Sequence, residues 1–315
     1  MLRNVMIADL KVGDVIESYY ILKEATAKTT ANGRPYLSAQ VSDRSGYITM
    51  MAWDYPGPVG EANVGQVVKV RGEVIEYRGT HQLTAHRLRL AVENDVFDKS
   101  ALVPTAPIDP EERMAEIRAM VQSLGDADYR RVCETMLERH GEAFRNIPAA
   151  KTVHHSFLNG LLMHTSNMLR MASLMAEIYS DIVDRSLLLA GTLLHDFANE
   201  EEFVFSELGL STGYTVKGQL LGHLVMGAQE VAKVAAELGV PEEKSLLLQH
   251  MLLSHHGEPE FGAAVVPMCA EAELLSKIDL IDSRMEIYTE ALAEIQPGMF
   301  TNRIFALEKK IYRHE

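Results

Sequence analysis

The stretch from Leu187 to Asn199, LLLAGTLLHDFAN, constrains the fold more than any other part of this sequence. It is an apolar run typical of a buried helix, but it continues into His195-Asp196. Burying an imidazole beside a carboxylate in apolar surroundings is unfavourable by several kcal/mol unless a partner compensates both groups. Because a divalent metal ion is such a partner, the run predicts a helical core built around a metal site.

Four further motifs contain histidine or aspartate flanked by small or apolar residues. They contain His164 in GLLMHTSNM, His223 in QLLGHLVMG, His255-His256 in LLSHHGEP and Asp279 in LLSKIDLID. A lone His-Asp dipeptide is weak evidence, since most helical histidines are merely packed or solvated, but the set together indicates one shared site. Imidazole and carboxylate donors suit Mn, Fe, Zn or Mg rather than a soft metal that prefers thiolate ligands.

The order His, His-Asp, His, His-His, Asp resembles the HD-domain metal-dependent phosphohydrolases. The segments HHSFLNGLLMHTSNMLRMA, LLLAGTLLHDF, GQLLGHLVMG, LLSHHGEPEFG and IDLIDSRM follow a small β module, and together they are similar to the YhaM family of 3'-5' exoribonucleases over nearly the whole chain. The resemblance implies a multidomain protein, in which a small all-β OB-fold barrel precedes an all-α HD domain. It further implies metal-dependent removal of nucleoside 5'-monophosphates from the 3' end of single-stranded RNA, or of single-stranded DNA.

The same resemblance implies roles for individual residues. Six positions are the implied metal ligands: His164, His195, Asp196, His223, His255 and Asp279. His256 and Asp282 are expected to support these ligands or to replace one of them. Lys277 and Arg284 are expected to join His195 and Asp196 in catalysis by neutralising substrate phosphate, although each could equally be a solvated helix charge. We expect two divalent ions, with Mn first and Fe, Mg, Co or Zn as alternatives.

The sequence departs from the family pattern at two places. Asn199 stands three residues after the His-Asp pair, where the family has a lysine, and NGLLMH replaces GGLLEH, which brings in Asn159 and Met163. The first change removes a cation that would meet phosphate, and the second removes a carboxylate beside His164. If the helix continues, Asn199 points to the ligand side and a lysine there should raise activity; alternatively, Asn199 caps the helix and faces solvent.

The net charge of −14 argues at first against a nucleic-acid partner, because phosphate binding depends on lysine and arginine. The charge is unevenly distributed, however. Residues 1 to 100 contain 12 basic and 12 acidic side chains, so the whole acidic excess falls on residues 101 to 315. An exonuclease that releases its substrate at each step can be acidic outside its channel, so the charge does not exclude this function.

Residues 1–96 are predicted to form the OB-fold, because five β-branched or aromatic segments alternate there with turn signals. OB-folds bind single strands by stacking bases on aromatic rings beside a basic groove. The candidates are Tyr36, Trp53, Tyr55 and Tyr77 for stacking, with Arg34, Arg71 and Arg78 for phosphate; for each one, packing of the small barrel is the competing interpretation. The proline-rich residues 97–110 are predicted to be a linker, and residues 111–315 the HD domain.

Three other functions fit parts of the pattern. The chain could be an HD phosphohydrolase of a small nucleotide or cyclic dinucleotide, a di-iron oxygenase, or a non-catalytic RNA-binding protein with a relic metal cage. Cys133 and Cys269 are too few for a disulfide framework, and the sequence has no apolar run as long as a membrane helix. We therefore expect a cytoplasmic protein with no membrane partner, and a homo-oligomer.

Overall fold

The computed structural model describes residues 5–30, 32–77, 79–92, 94–149, 157–206, 208–209, 211–293 and 295–315. The chain forms two compact units: Met1–Thr105 with Ser206–Leu208, and Ala106–Phe205 with Gly209–Glu315. The division after Thr105 falls inside the predicted linker 97–110, whose exact limits stay a prediction. Among the described residues, no helix has both the length and the apolar character needed to cross a membrane.

The first unit is a closed barrel of five strands in the order β1-β2-β3-β5-β4. Strands β3 and β5 pair in parallel, and the other neighbours are antiparallel. This is a five-stranded Greek-key barrel of the OB type, as the sequence predicted. Inward side chains such as Leu22, Val41 and Met50 are fully buried. The strands are β1 (Val15–Thr29), β2 (Pro35–Asp43), β3 (Gly46–Trp53), β4 (Val67–Tyr77) and β5 (Thr80–Leu90).

Strand β5 contains a bulge that changes which side chains face the barrel interior. The pairing of β4 with β5 shifts between Arg71 and Gly72, which leaves His86 without a partner residue on β4. Before the bulge the odd-numbered Leu83 is buried, and after it the even-numbered Leu88 is buried. The extra residue therefore reverses the inward-outward alternation of the strand.

The second unit is mainly helical, and α4 lies at its centre. All nine residues from Ser186 to Leu194 are buried, and α4 contacts α2, α3, α7 and α8. Its N-terminus is capped by Asp184, whose carboxylate accepts hydrogen bonds from the Ser186 and Leu187 amides. The helices are α1 (Pro110–Gln122), α2 (Ala127–Asn146), α3 (Gly160–Ile178), α4 (Arg185–Leu194), α5 (Asn199–Glu202), α6 (Val216–Glu237), α7 (Glu242–Ser254) and α8 (Ala270–Ala293).

Between α4 and α6 the sequence suggests only a polar loop, and here the prediction was wrong. The segment forms α5 and then a two-stranded antiparallel hairpin of β6 (Phe203–Phe205) and β7 (Ser211–Tyr214). The Phe203 ring lies 5.2 Å from that of Tyr214, measured between centroids. This hairpin fixes the end of α5, where Glu202 is buried.

Candidate metal centre

Five helices bring the predicted metal-binding residues into one cluster. His164 lies on α3 and Asp279 on α8, whereas His195-Asp196 and His255-His256 follow the last residues of α4 and α7. His164, His195 and His255 are at most 2% exposed. Their ring centroids are 5.3 Å apart for His164 and His195, and 5.1 Å apart for His195 and His255. The structure thus packs several imidazoles together in a buried site.

Four of the five imidazoles in the cluster are oriented by an acceptor at the Nδ1 atom. Nδ1 of His195 lies 2.8 Å from the carbonyl oxygen of Thr192, and Nδ1 of His255 lies 2.8 Å from that of Leu252. Because a carbonyl oxygen only accepts, both Nδ1 atoms must carry the proton and donate it. In the neutral form of each ring, Nε2 then presents its lone pair to the cluster, as in histidines that bind metal.

The same arrangement holds for the other two histidines, with carboxylates as the acceptors. His164 Nδ1 is 2.7 Å from Asp282 Oδ2, and His223 Nδ1 is 3.0 Å from Glu202 Oε2. The Nε2 atoms of His164 and His195 approach to 3.3 Å. When both rings are neutral, the two nitrogen lone pairs repel at this distance, whereas a cation between them, either a proton or a metal ion, is attracted to both.

Asp196 lies between two groups of histidines. Its Oδ2 is 3.6 Å from His195 Nε2, and its Oδ1 is 3.4 Å from His223 Nε2 and 3.6 Å from His255 Nε2. The buried Oδ1 has no hydrogen-bond partner among the described residues. One group consists of His164, His195 and Asp196, and the other of His223, His255 and His256, the ligand atoms of each group lying within 4.8 Å of one another.

The donor set fits divalent metal ions. Imidazole and carboxylate donors converge within coordination reach of common centres, and a buried carboxylate oxygen without a hydrogen-bond donor requires some compensating charge. Asp279 adds a second carboxylate, with Oδ1 3.3 Å from His164 Nε2. His256 has a buried Nδ1 with no partner among the described residues, so it can serve as a ligand in place of, or beside, His255.

The pKa shifts indicate where the centre favours positive charge. Burial alone would lower the pKa of His164, but its hydrogen bonds to Asp279 and Asp282 raise it to about 10. Burial, together with the nearby His195, lowers the pKa of His255 to about 3. Burial opposes ionisation of Asp196, yet the surrounding histidines hold its pKa well below the usual range. A bound cation would supply positive charge to these carboxylates without protonating an imidazole.

Glu202 was not predicted from the sequence, although it holds His223 at two points. Its Oε1 accepts a hydrogen bond from the His223 amide at 3.1 Å, while Oε2 contacts the ring. The amide is available because α6 is interrupted at Gly222, whose φ of 72° is in the left-handed region that favours glycine. The only sequence signal was an acidic run, NEEE, in which nothing distinguishes Glu202 from its neighbours.

A cavity of about 410 Å³ lies beside the histidine cluster, within the range of sites for small molecules. Its lining includes His255, His256 and Asp279, together with Lys277 and Arg284. The structure therefore brings both predicted cations to the border of the centre. Lys277 also forms an exposed ion pair with Glu273, 3.3 Å from Nζ to Oε1.

Asn199 fits neither of its predicted environments. It is 2% exposed, and its Nδ2 donates a hydrogen bond to the carbonyl oxygen of Ala149 at 3.1 Å. The helix α4 ends at Leu194, so the expected continuation to Asn199 was wrong, and so was the alternative of a solvent-facing cap. Asn159, at the other departure from the family pattern, has a φ of 60°, a conformation that asparagine tolerates better than most residues.

The barrel residues predicted to bind nucleic acid differ in their surroundings. Tyr36 and Trp53 are cross-strand partners, with ring centroids 4.9 Å apart. Trp53 is 51% exposed and Tyr77 is 50% exposed. Arg34 forms an exposed ion pair with Asp54 at 3.3 Å.

Two other members of that predicted set do not join the exposed aromatic pair. Tyr55 packs against the barrel core, and its hydroxyl accepts a hydrogen bond from the Val59 amide at 3.2 Å, so its observed contacts are those of a packing residue. Arg71 is exposed on β4, away from β2 and β3 in the strand order. Arg78 lies outside the described residues.

Comparisons with known proteins give the chain a family context. Residues 161–284 match the family model described as HD domain. The chain is 36% identical to the 3'-5' exoribonuclease YhaM of Bacillus licheniformis over 314 residues, which cover 99% of this chain and 98% of that protein. It is also 36% identical to the protein of the same name from Listeria monocytogenes serotype 4b, over 96% of each chain.

Two of the solved structures that match are OB-fold domains, and each covers about 30% of this chain. The second OB-fold domain of replication protein A from Methanococcus maripaludis is 14% identical, with a TM-score of 0.22, over 30% of this chain and 99% of that one. The OB domain of a Thermoplasma acidophilum protein is 13% identical, with a TM-score of 0.25, over 30% of this chain and 92% of that one.

Proposed function

We infer the substrate from family membership: the chain belongs to the YhaM family of 3'-5' exoribonucleases. Together with the HD-domain match, this makes it a metal-dependent 3'-5' exonuclease. We propose that it acts on single-stranded RNA, and on single-stranded DNA where the ribose is not read, and that it releases nucleoside 5'-monophosphates one at a time.

The proposed metal site rests on one observation: Asp196 directs its two carboxylate oxygens towards two different groups of histidines. A carboxylate in this position can be shared by two ions, one beside His164 and His195 and the other beside His223 and His255. We propose Mn as the native metal and two ions per chain. When bound, such ions lower the pKa of a coordinated water and stabilise charge on the phosphate and on the leaving 3'-oxygen.

The chain's own residues would hold and orient the last nucleotide. Lys277 and Arg284 line the cavity beside Asp279, where their positive charges can attract non-bridging oxygens of the scissile phosphate. Arg284 can do so through two parallel hydrogen bonds, whereas Lys277 supplies a point charge. Asp282 and Glu202 keep His164 and His223 in the ring orientation that turns Nε2 towards the metals.

The barrel would hold the strand behind the cleaved end. Tyr36, Trp53 and Tyr77 offer aromatic faces for bases, and Arg34 offers a cation for phosphate. Tyr55 is left out of this set because its contacts are used in packing the barrel. We also propose that the protein is a cytoplasmic homo-oligomer.

The proposal is tested by incubating the purified protein with single-stranded oligoribonucleotides labelled at the 5' or the 3' end, with and without Mn. We expect a ladder of shortened products from the 5'-labelled strand and early release of labelled mononucleotide from the 3'-labelled strand, both dependent on metal. An internal cut or release from the 5' end would contradict the proposal. Hydrolysis of free mononucleotides or cyclic dinucleotides alone would point to the small-substrate alternative, and oxygen uptake to a di-iron oxygenase.

A further inference from the structure

The outer face of β1, β4 and β5 carries four cations, and we propose that it is a second binding surface for the phosphodiester backbone of a single strand. The cations are Lys69, Arg71, Arg87 and Arg89. We call this set the β4–β5 basic surface. The inference rests on the proposed function and deepens it, because it adds a binding site outside the aromatic pair of β2 and β3.

The strand register arranges the four cations in a square. Lys69 lies opposite Arg89, and Arg71 lies opposite Arg87. The two rows are two residues apart along the strands, which corresponds to about 6.7 Å. Like charges directly opposite each other across two strands destabilise a sheet. The facing of like charges in both rows is therefore unfavourable for the fold, whereas an anionic chain lying along the rows would be attracted to all four positions.

Close ion pairs with neighbouring acids involve two of the four cations, Lys69 and Arg89. Glu17 Oε1 lies 2.9 Å from Lys69 Nζ, and Asp95 Oδ2 lies 2.6 Å from an Arg89 guanidinium nitrogen. Arg71 and Arg87 are exposed, and no carboxylate among the described residues lies within 4.0 Å of either guanidinium. The Arg71 and Arg87 guanidinium groups are therefore not held in close ion pairs and can bind an anion, although Glu17 lies opposite Arg71 on β1 and lines the same cavity.

The surface is concave rather than flat. A cavity of about 340 Å³ is lined by the four cations together with Glu17 and Leu88. Guanidinium groups hold phosphate through paired hydrogen bonds, and their charge does not depend on pH in the physiological range. A hollow lined by two unpaired arginines therefore suits a phosphodiester group better than a neutral ligand.

The bulge in β5 is what places two of the cations outside. If His86 were paired as a regular strand residue and did not bulge, the odd-numbered Arg87 and Arg89 would continue the alternation of Leu83 and point into the barrel. The bulge also needs Gly72 opposite it, because a Cβ there would lie 2.3 Å from the Thr84 carbonyl oxygen. Bulges commonly re-aim side chains at binding sites.

The chemistry predicts recognition of the backbone and not of bases. Four cations without an exposed aromatic ring among them can contact phosphates of any sequence, in RNA and DNA alike. The charge distribution favours a nucleic-acid ligand. Because the chain as a whole carries a net charge of −14, an anionic strand would be attracted mainly to a basic face such as this one.

The test uses the full-length Arg71→Ala/Arg87→Ala variant and a labelled 20-nucleotide single strand, with EDTA present to prevent cleavage. Binding is followed by fluorescence anisotropy over a series of salt concentrations. Because each phosphate contact on a single strand contributes about 0.7 to the slope of log K against log salt, the slope should fall by about 1.4. The RNA and DNA versions of the strand should give the same change.

Two further variants make the result specific. Lys11→Ala/Arg44→Ala removes two exposed positive charges elsewhere on the barrel and should leave the slope unchanged. Arg71→Lys/Arg87→Lys keeps the charge and should retain most of the slope. A slope for Arg71→Ala/Arg87→Ala equal to that of the unsubstituted protein would overturn the proposal. Normal RNA binding by Arg71→Ala/Arg87→Ala together with a changed sedimentation coefficient would also overturn the proposal. That result would assign this surface to contact with a second copy of the chain.

The result of this binding experiment does not depend on the proposed exonuclease activity. Binding in EDTA needs no hydrolysis, so the slope can be measured even if the metal centre performs another reaction. Absence of cleavage of any labelled strand by the unsubstituted protein would refute the activity and leave the basic surface supported by its own data.

Discussion

The two units of this protein treat polar side chains in opposite ways. In the helical unit, His195 and His255 are almost fully buried and have their protons fixed by carbonyl oxygens. In the barrel, Trp53, Arg71 and Arg87 face outward. A buried polar group must be compensated by the protein or by an ion, whereas water compensates an exposed one. Substitutions of these residues should therefore have all-or-none effects on function in the helical unit and graded effects in the barrel.

The largest effect is expected for Asp196→Asn, because this carboxylate contacts histidines of both groups. We expect kcat to fall by at least about a thousandfold, equivalent to about 4 kcal/mol, with loss of bound metal and retained helical content. Asp181→Asn, at an exposed position of the same unit, is the matched control. Near-normal hydrolysis and metal content in Asp196→Asn would remove this residue from the centre.

Next in size is Glu202→Gln, which tests whether the support of His223 matters as much as the ligand itself. Loss of such an orienting carboxylate typically weakens metal affinity or activity about 10- to 100-fold. Metal affinity can be measured by competition with a chelator. The adjacent Glu201→Gln removes an exposed carboxylate that pairs with Lys217 and should have little effect. Equal effects of the two substitutions would show that Glu202 has no special role.

Asn199→Lys tests the buried environment of that position. Because the side chain is 2% exposed and bonded to Ala149, a lysine must bury its charge or displace the helix start. We expect destabilisation of about 2 kcal/mol and a melting temperature lower by roughly 5 °C. Calorimetry is the measurement, with the exposed Asn302→Lys as control. Higher activity at unchanged stability would restore the phosphate role that the family pattern suggests.

A smaller effect is expected for Trp53→Ala on the barrel. Stacking on one aromatic ring contributes about 1–3 kcal/mol per base, and part of this ring already faces Tyr36. KM for long RNA should rise about fivefold, while kcat changes little. Tyr179→Ala, which removes an exposed ring from the helical unit, should leave KM unchanged. An unchanged KM in Trp53→Ala would place base stacking elsewhere.

The smallest effect is expected for Arg34→Ala. Its ion pair with Asp54 is exposed, the side chains being 71% and 59% accessible, so the free energy of unfolding should change by less than about 0.5 kcal/mol. The slope of log K for single-strand binding against log salt should nevertheless decrease by about 0.7 if Arg34 contacts one phosphate. Urea denaturation and anisotropy together separate the two quantities, and an unchanged slope would exclude the contact.

This contrast also explains what the sequence could predict. His164, His195 and Asp279 were found because each interrupts an apolar helical run, and a buried titratable group needs a reason to be there. The five strands of the barrel could be predicted because turn residues separate β-branched segments. The aromatic candidates were harder to rank, because Tyr55 and Trp53 look alike in sequence although one packs and the other is exposed.

The remaining features depend on contacts between distant segments. Glu202 reaches His223 only because the β6–β7 hairpin and the break at Gly222 bring them together, and no local pattern encodes that meeting. Glycine often follows the last residue of a helix, so the sequence predicts that the helix of residues 129–140 ends at Gly141. In the structure α2 continues to Asn146, and Gly141 is buried near Met114. Propensity is a weak guide where tertiary packing decides the end of a helix.

The bulge at His86 makes the pairing of β5 as informative as its composition. A deletion of this single residue would place Arg87 directly after the inward-facing Ala85, so regular alternation would keep Arg87 and Arg89 outward and Leu88 towards the barrel core. When related sequences are aligned, a gap at this position would therefore be compatible with the same outer charge, whereas pairing His86 as a regular strand residue would turn the same arginines inward. The way in which His86 is accommodated in the strand, and not the presence of the arginines alone, therefore decides which charges this surface carries.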